Sequence, residues 1–456
     1  MKRLFSLVLL SLSCHAQALV VEPYQFVAAD GTAVAAEKGS LLVPERHAAK
    51  AGKQMTLRFV RFKSTAAEPG APIVYLAGGP GGSGIQAARG ERFPLFMKLR
   101  EVADVIVVDQ RGTGESGSPP DCVPPGGYPL EKPLQLDAYL ADAKKAAALC
   151  AAFWRDAGVD IDAYTSRESA ADLAMLRTAL GVPKVSLFGI SYGTHLALAT
   201  AKYHPDAVAA LVLASSEGLG QTVKQPARID LMLGRLARLA AAKYPDFLGS
   251  MARVHQRLDL RPVVLGKTGI GKLDIQLLAS YMIKNPREAA MLPALYAAME
   301  ADQFQFVAPH VARLRGQLAR WQAMPVAMDA SIGIDRAHLQ LVLKQAETSL
   351  LGRASDLPHP DIAAALGIAD LGAEYRREPA TDIPALFIAG TLDGRTVLES
   401  QLELARGMPR AQTLVVHNAG HDLLVVSPAI GEAMVRFLRG EKAGNTEIVI
   451  DPPAFM

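Results

Sequence analysis

The sequence predicts an α/β protein with a mostly parallel central sheet and a large inserted helical domain. Short, continuous apolar runs alternate with helical stretches, which is the pattern of βα units. A run of roughly 160 residues then interrupts this alternation, far longer than a crossover between neighbouring strands requires. We therefore expect a first part of the core at 19–217, a helical cap at 218–381 and a second part of the core at 382–456.

The strands are predicted in chain order from two patterns. Alternation of apolar and polar residues over 54–62 indicates an early, half-exposed antiparallel strand. Continuous apolar runs, which suit parallel strands buried on both faces, follow at 72–76, 105–108, 185–188, 210–213, 385–388 and 413–416. Before the third of these runs, leucines at helical spacing indicate a helix that ends at Gly181.

The cap is predicted to be mostly helical and to form the roof of a pocket. Apolar residues recur at helical spacing in two of its stretches: Ile229, Leu233, Leu236 and Ala240, then Leu292, Leu295, Tyr296 and Met299. We expect this segment to lie over one end of the sheet and to determine which substrate is accepted.

The first 18 residues are predicted to be a signal peptide. Lys2 and Arg3 precede a short apolar stretch at 4–12, and the Ala-Gln-Ala triplet at 16–18 has the form of a signal-peptidase site. Nine residues span only about 14 Å as a helix, which is too short for a bilayer of about 30 Å. The alternative, a lipoprotein cysteine at Cys14, lacks the leucine expected three residues before it.

Charge and hydropathy exclude two classes of partner. The formal net charge is +3, from 48 basic and 45 acidic residues, and no run of lysine or arginine occurs. A charge so close to neutral does not indicate the strongly basic surface that nucleic acid binds, nor a polybasic patch that binds an anionic membrane. After the signal peptide no stretch reaches 18 uncharged apolar residues, so we expect an exported protein, periplasmic or secreted, without a membrane anchor.

Cleavage of the signal peptide leaves two cysteines, Cys122 and Cys150. An even pair in an oxidising compartment favours a structural disulfide, and two separate buried thiols are the alternative. Two cysteines without histidines at matching spacing do not form a zinc site, so no metal is predicted.

A nucleophile is predicted at Ser191. The Gly-Ile-Ser-Tyr-Gly pentapeptide at 189–193 follows a predicted strand and precedes an apolar helix, which is the setting of a nucleophile elbow. The two glycines suit a tight turn that packs closely against neighbouring strands, while the serine projects its hydroxyl outwards.

The base and the acid are predicted from loops that follow later strands. His421 lies after the run at 413–416 and Asp393 after the run at 385–388, so the chain order is Ser, acid, His. In this arrangement His421 takes the proton of Ser191, and Asp393 orients the imidazole. Two alternatives stay open: His417, at the end of its strand, as the base, and Glu217, otherwise a pocket or helix-capping residue, as the acid.

An oxyanion hole requires two backbone N–H donors. One is expected from Tyr192, directly after the nucleophile, and the other from Gly79 in the glycine-rich loop at 77–84. A phosphate-binding loop is the competing interpretation, but it requires a terminal Gly-Lys-Ser/Thr that this loop lacks.

Three motifs together resemble a known family of peptidases. They are the Gly-Gly-Pro-Gly-Gly-Ser-Gly loop at 78–84, the Asp-Gln-Arg-Gly-Thr-Gly-Glu-Ser stretch at 109–116, and the Ser191 elbow. They are similar to those of the proline iminopeptidases and the exported bacterial tripeptidyl aminopeptidases, which have the α/β-hydrolase fold. The resemblance covers about 70–217 and 380–440. Ala77 stands where proline iminopeptidases usually have a histidine, which favours the tripeptidyl type.

The resemblance implies hydrolysis of an amino-terminal residue or short peptide, with the free amine bound by carboxylates of the cap. Candidates for that contact are Glu217, Glu300 and Asp302, although each also has a simpler interpretation as a solvated surface charge. Asp109 and Arg111 are interpreted as structural residues of the site wall.

The predicted function is that of a serine hydrolase acting on a small peptide or ester substrate through an acyl-enzyme. This chemistry requires no cofactor. A carboxylesterase of the same fold is the first alternative, because a triad and an oxyanion hole serve esters and amides alike. A binding module that keeps the hydrolase shape without turnover is the second.

Overall fold

The structure, a computed structural model, describes residues 19–49, 52–444 and 446–456. The predicted signal peptide at 1–18 lies outside these ranges. In the part of the chain that the structure describes, no helix combines the length and apolar character needed to cross a bilayer.

Within the described residues, ten strands form one mixed sheet and two others form a small hairpin. The strands are β1 (Val20–Val27), β2 (Ala33–Pro44), β3 (Gln54–Phe62), β4 (Ile73–Leu76), β5 (Val105–Asp109), β6 (Val185–Ile190), β7 (Val208–Ala214), β8 (Val263–Leu265), β9 (Thr268–Ile270), β10 (Ala385–Gly390), β11 (Ala411–His417) and β12 (Glu447–Val449). The order across the main sheet is β1-β2-β3-β5-β4-β6-β7-β10-β11-β12, and β8 pairs with β9.

The six continuous apolar runs correspond to β4, β5, β6, β7, β10 and β11, and every pair of neighbours from β5 to β12 is parallel. The alternating segment is β3, which is antiparallel to both of its neighbours, β2 and β5. The predicted fold class is therefore correct. The edge strands β1 and β12, and β2 next to β1, were not predicted from the sequence.

The described helices occupy both faces of the sheet and most of the insertion. They are α1 (Gly84–Arg89), α2 (Phe93–Leu99), α3 (Leu136–Asp156), α4 (Ser166–Ala179), α5 (Tyr192–Tyr203), α6 (Pro226–Ala240), α7 (Phe247–Leu260), α8 (Lys272–Met282), α9 (Pro286–Ala289), α10 (Leu292–Glu300), α11 (Ala308–Leu318), α12 (Ala323–Ile332), α13 (Arg336–Ala346), α14 (Ala363–Leu366), α15 (Ala373–Arg376), α16 (Leu398–Arg406) and α17 (Pro428–Leu438). The helix predicted to end at Gly181 is α4, and this glycine has φ +70°, which suits a residue just after a helix.

The apolar core has a layer on each face of the sheet. Along β6, Val185 and Leu187 pack with α4 and α5, whereas Phe188 and Ile190 pack on the opposite face with α1, α2 and α17. Each such fully buried side chain contributes roughly 1.5–3 kcal/mol relative to exposure, so the two layers hold the strand ends in register. A third apolar cluster joins α6, α7, α8, α10 and α11 of the cap.

One cap helix, α12, belongs to the core rather than to the cap's own apolar cluster. Met324 and Met328 of α12 lie in the same apolar cluster as α4 and α5. Pro325 of α12 is close enough to Gly81 that a Cβ atom at this glycine would lie 2.7 Å from the proline ring. The insertion therefore contacts the glycine-rich loop directly.

A buried ion pair fastens the cap to the chain that leads into α3. Arg315 and Asp274 are both buried, with the Nη2 atom 2.7 Å from Oδ1. Arg315 also donates to the carbonyl of Lys132 (2.7 Å), and Asp274 accepts from the N–H of Leu134 (3.0 Å). A buried pair of this kind is stable only when its remaining polar atoms are also bonded, as they are here.

Cys122 and Cys150 form the predicted disulfide. Cys150 lies on α3, and Cys122 exchanges two backbone hydrogen bonds of 2.8 Å with Trp321, just before α12. The bond therefore links α3 of the core to the chain segment that pairs with the cap.

Candidate active site

Ser191 lies at a sharp turn between β6 and α5. Its φ of +55° and ψ of −128° form a backbone conformation that non-glycine residues rarely adopt and that clusters at functional sites. Its N–H donates to the carbonyl of Ala214 at the end of β7 (3.1 Å). A Cβ atom at Gly193 would overlap the carbonyl oxygen of Leu76, so the turn tolerates only glycine there. The strained turn leaves Ser191 partly exposed at the carboxyl edge of the sheet.

Asp393 and His421 are in direct contact. The Nδ1 atom of His421 lies 3.0 Å from each carboxylate oxygen of Asp393, which is completely buried. Burial by itself would raise the pKa of Asp393, but the charge and hydrogen bond of His421, with hydrogen bonds from Thr396, outweigh it and hold the pKa below its usual value. Asp393 is therefore an ionised partner for the imidazole.

His421 is fixed by its backbone as well as by Asp393. Its N–H donates to the carbonyl of Lys284 in the cap (3.3 Å), and its carbonyl accepts from Ser215 Oγ (2.8 Å). Ser215 follows Ala214, which holds the N–H of Ser191, so the end of β7 connects the two loops. With Nδ1 bound to Asp393, Nε2 is the nitrogen left to act on a hydroxyl.

Ser191 and His421 are not hydrogen-bonded to each other in the part of the chain that the structure describes. Catalytic contacts are often long without substrate and tighten when substrate binds. The structure thus brings two of the three predicted residues into contact and holds the third, Ser191, on the neighbouring β6–β7 edge.

The glycine-rich loop packs onto the Ser191 turn. A Cβ atom at Gly78 would lie 2.9 Å from the Cβ of Ser191, so this loop approaches the turn as closely as backbone allows. Gly79 has φ +127°, a conformation that favours glycine. Gln110 Nε2 donates to the carbonyl of Ala77 (2.9 Å) and holds the start of the loop. The start of the glycine-rich loop is therefore held directly against the Ser191 turn.

Asp109 and Arg111 brace the loops around the site. Asp109 accepts hydrogen bonds from Ser83 Oγ (2.6 Å) and the N–H of Ile85 (3.0 Å), which fix the end of the glycine-rich loop. Arg111 is fully buried and binds both carboxylate oxygens of Asp172, at 2.6 and 2.7 Å. Neither side chain faces the Asp393–His421 pair, in agreement with the structural interpretation.

Three carboxylates gather beside the site, of which the sequence predicted only Glu217. Glu217 is buried and pairs with Lys224 Nζ at 2.6 Å instead of contacting His421. Lys224 also donates its backbone N–H to Asp356 (3.0 Å), and burial raises the pKa of Asp356 to about 6. Asp329 of α12 faces the same group, and burial together with the charge of Glu217 raises its pKa to about 7.

Asp329 differs from the other two acids in having no donor. None of the described residues donates a hydrogen bond to its carboxylate, although the positive charges of Lys224 and Arg395 favour its ionised form. A single acid in the otherwise uncharged helix Ala323–Ile332 is the sequence signal that could have identified it.

Glu300 and Asp302, the other two candidates for contact with a substrate amine, lie away from this cluster. Glu300 Oε1 pairs with Arg253 at 2.6 Å and Asp302 pairs with Arg257, both on the outer surface of the cap. The surface interpretation therefore holds for Glu300 and Asp302.

His417, the alternative base, lies 3.3 Å from Glu447 of the edge strand β12 and does not contact Asp393.

A family model described as the α/β-hydrolase fold matches residues 71–428. Three relatives with curated names are similar over shorter stretches. The tripeptidyl aminopeptidase of Streptomyces lividans is 30% identical over 187 residues, which are 39% of this chain and 34% of the relative. The serine protease Hip1 of Mycobacterium tuberculosis is 29% identical over 187 residues (38% of this chain, 35% of the relative). The proline iminopeptidase of Neisseria gonorrhoeae is 28% identical over 144 residues (32% of each chain).

The matched stretch spans about a third of each of these relatives. The resemblance to peptidases of this fold is therefore confirmed at the level of the fold family and its peptidase-named members.

Proposed function

Because this chain belongs to the α/β-hydrolase fold family, we propose that it is a serine hydrolase that removes amino-terminal residues or short peptides from peptide substrates. The observation that carries the proposal is the contact between the Asp393 carboxylate and Nδ1 of His421 (3.0 Å), beside a serine on a strained turn. These residue types in this chain order are those of a Ser-His-Asp triad.

In the proposed reaction Ser191 Oγ attacks the carbonyl carbon while its proton passes to Nε2 of His421. The tetrahedral oxyanion accepts hydrogen bonds from the N–H groups of Tyr192 and Gly79. The bond to the leaving nitrogen then breaks, that nitrogen takes the proton from His421, and an acyl-enzyme remains. Water, deprotonated by His421, releases the acyl group and restores Ser191. Asp393 stabilises the imidazolium throughout.

The carboxylates beside the site support recognition of a free amine. Lys224 binds Glu217 and Asp356, whereas Asp329 keeps a carboxylate without a donor. A substrate ammonium is the group that would satisfy Asp329, because a charge-assisted hydrogen bond in a buried site contributes roughly 1.5–3 kcal/mol. Asp329 is therefore the proposed contact of the substrate's amino terminus, and Glu217 stays paired with Lys224.

Export to the periplasm or the medium is part of the proposal. The predicted signal peptide and the Cys122–Cys150 disulfide both support it, since disulfides persist in oxidising compartments.

The test compares one short peptide anilide with its amino terminus free and then acetylated. Each rate is corrected by the rate of the Ser191→Ala variant, which reports hydrolysis without the nucleophile. We expect the free amine to be preferred at least about tenfold, the factor that loss of one charged hydrogen bond produces. Equal or reversed preference would instead support the carboxylesterase alternative, and no rate above that of Ser191→Ala on any ester or anilide would support the binding module.

A further inference from the structure

The four residues at the end of β7, 214–217, lie between the loops of the candidate triad, and we call them the β7 junction. The strand β7 itself lies between β6, which ends directly before Ser191, and β10, which ends shortly before Asp393. Within the junction Ser215 is completely buried and has φ +48°, a left-handed conformation that serine rarely adopts. Strain of this kind persists only where the surrounding structure enforces it, and it is concentrated at functional sites.

The first two residues of the β7 junction hold the nucleophile turn and the histidine loop. The carbonyl of Ala214 accepts the N–H of Ser191 (3.1 Å). Ser215 Oγ donates to the carbonyl of His421 (2.8 Å). Because these two residues are adjacent in the chain, the backbone of Ser191 and the backbone of His421 are held by one rigid support.

The other two residues of the junction bond to helices on either side. Glu217 donates its N–H to Thr194 Oγ1 of α5 (2.8 Å), and the same hydroxyl donates to the carbonyl of Ser191 (2.6 Å). Ser216 donates its N–H to Oε1 of Gln401 in α16 (2.9 Å). The junction is therefore joined to the start of α5 on one side and to a glutamine near the Asp393 loop on the other.

Gln401 is completely buried, and both ends of its amide are bonded. Since Ser216 donates to Oε1, the nitrogen Nε2 is the end that donates to the carbonyl of Thr396, and it also lies 3.5 Å from Oδ2 of Asp393. Thr396 in turn aligns Asp393, with its N–H 2.9 Å from Oδ1 and its Oγ1 2.7 Å from Oδ2. A buried amide is costly unless it is bonded in this way, so its side chain is a fixed bridge between the β7 junction and the Asp393 loop.

We propose that Gln401 is a positioning residue of the triad, whose amide sets the separation between the Asp393 loop and the β7 junction. The inference rests on the proposed function. The junction already holds Ser191 and His421, so the bond to Gln401 places the third residue in the same frame and turns the imidazole towards the serine. A displacement of about 1 Å in such a site costs roughly 100-fold in rate. Gln401 acts through Thr396 and does not touch the reacting atoms.

The test replaces Gln401 by methionine, which has a similar volume but can neither accept from Ser216 nor donate to Thr396. With the peptide anilide of the proposed function as substrate, we expect kcat to fall about tenfold to 100-fold, because the imidazole is misaligned. KM should change little, since a completely buried side chain does not contact substrate. Gln401→Glu keeps the length and an acceptor for Ser216 but loses the donor to Thr396. It should lose kcat to a similar degree, and it takes the place of Gln401→Met if that variant does not fold.

A second measurement follows the contact between Asp393 and His421 directly. The proton on Nδ1 of His421, bound to a carboxylate, gives a downfield resonance in the proton NMR spectrum, which the variant His421→Asn identifies by its loss. In Gln401→Met we expect this resonance to move upfield or to vanish through exchange with water. The matched control is Gln276→Met, which removes a buried glutamine of α8 that donates to the carbonyl of Leu350 (2.9 Å) in the cap. It should leave both kcat and the resonance unchanged.

Wild-type kcat in Gln401→Met, or a reduced kcat with an unchanged resonance, would overturn the inference. An equal loss of kcat in Gln276→Met would also overturn it, because the effect would then be one of general destabilisation. If no substrate is hydrolysed faster than by Ser191→Ala, the proposed function fails, and the resonance alone decides whether Gln401 orients the pair of Asp393 and His421. If esters or acetylated peptides are the better substrates, kcat on those substrates decides it, and only the proposed specificity is lost.

Discussion

The carboxylate of Asp393 holds the imidazole of His421 through both of its oxygens, each 3.0 Å from Nδ1. The same carboxylate accepts the N–H of Arg395 (2.8 Å) and the N–H of Thr396 (2.9 Å), so it is aligned by its own loop before it meets the histidine. An orienting acid that is prealigned in this way fixes the histidine tautomer with hydrogen on Nδ1, leaving Nε2 as the base.

Replacing Ser191 by alanine removes the proposed nucleophile. We expect kcat/KM to fall at least about 10⁴-fold, because the acyl-enzyme can no longer form. The melting temperature should stay within a few degrees of wild type, since Ser191 Oγ makes no buried hydrogen bond in the described structure. A variant that keeps a tenth of the wild-type rate would refute the assignment.

Asp393→Asn tests the acid of the triad. The amide can favour the wrong imidazole tautomer, and comparable changes in serine hydrolases cost about 10⁴-fold in kcat. Glu217→Gln is the matched control, because it also removes one buried carboxylate near the site but not the one bound to His421. If Glu217→Gln instead lost kcat to the same degree and Asp393→Asn did not, Glu217 would be the acid.

Asp329→Asn tests recognition of the amine. We expect KM for peptides with a free amino terminus to rise about tenfold or more, while acetylated substrates are affected little, because only the former bring an ammonium to this carboxylate. Glu300→Gln, which alters a paired acid on the outer surface of the cap, should leave KM unchanged for both the free and the acetylated substrates. Equal losses on free and acetylated substrates would show that Asp329 acts on the fold or on catalysis instead.

Asp329 also makes the stability of the folded protein depend on pH. Burial raises the folded-state pKa of Asp329 to about 7, above its ordinary value of 3.8. The native state then binds more protons than the unfolded state between these values, so this group's contribution to stability declines as pH rises from about 4 to 7. We expect the melting temperature of Asp329→Asn, relative to wild type, to increase between pH 5 and pH 8. A difference that is constant or declines across this range would contradict the prediction.

Removal of the disulfide should destabilise the mature protein without abolishing catalysis. A loop closed by Cys122 and Cys150 constrains the unfolded chain, which on the chain-entropy view contributes about 3–4 kcal/mol. Denaturant unfolding of the Cys122→Ser/Cys150→Ser double variant measures this loss against wild type. Titration of two free thiols in the unreduced mature protein would show that the bond is absent in solution.

The parallel strands and the loops that carry Ser191, Asp393 and His421 could be predicted from the sequence for one physical reason. Strands buried on both faces are continuous apolar runs, and open parallel sheets place their sites at the carboxyl ends of such strands. The strands β1, β2 and β12 lack that signal. They lie at or near the sheet edges, where many side chains face solvent and no apolar run is required.

The acids of the cap could not be assigned to the site in the same way. Whether an acid such as Asp329 or Glu300 meets a substrate depends on how cap helices pack over the sheet, which no local pattern records. Asp329 reaches the site because α12 packs into the core through Met324 and Met328. Glu300 lies on α10, whose buried face turns into the cap itself.

The pair of Arg315 and Asp274 also limits how the cap can move. A lid joined to its base only by its two chain connections can swing about them as a hinge. Here Arg315 and Asp274 form hydrogen bonds with the chain at 129–134. These bonds are a third attachment of the cap, in addition to the two places where the chain enters and leaves it. The cap is therefore tied to the rest of the chain at a point besides its two chain connections, which restrains a hinge motion about them.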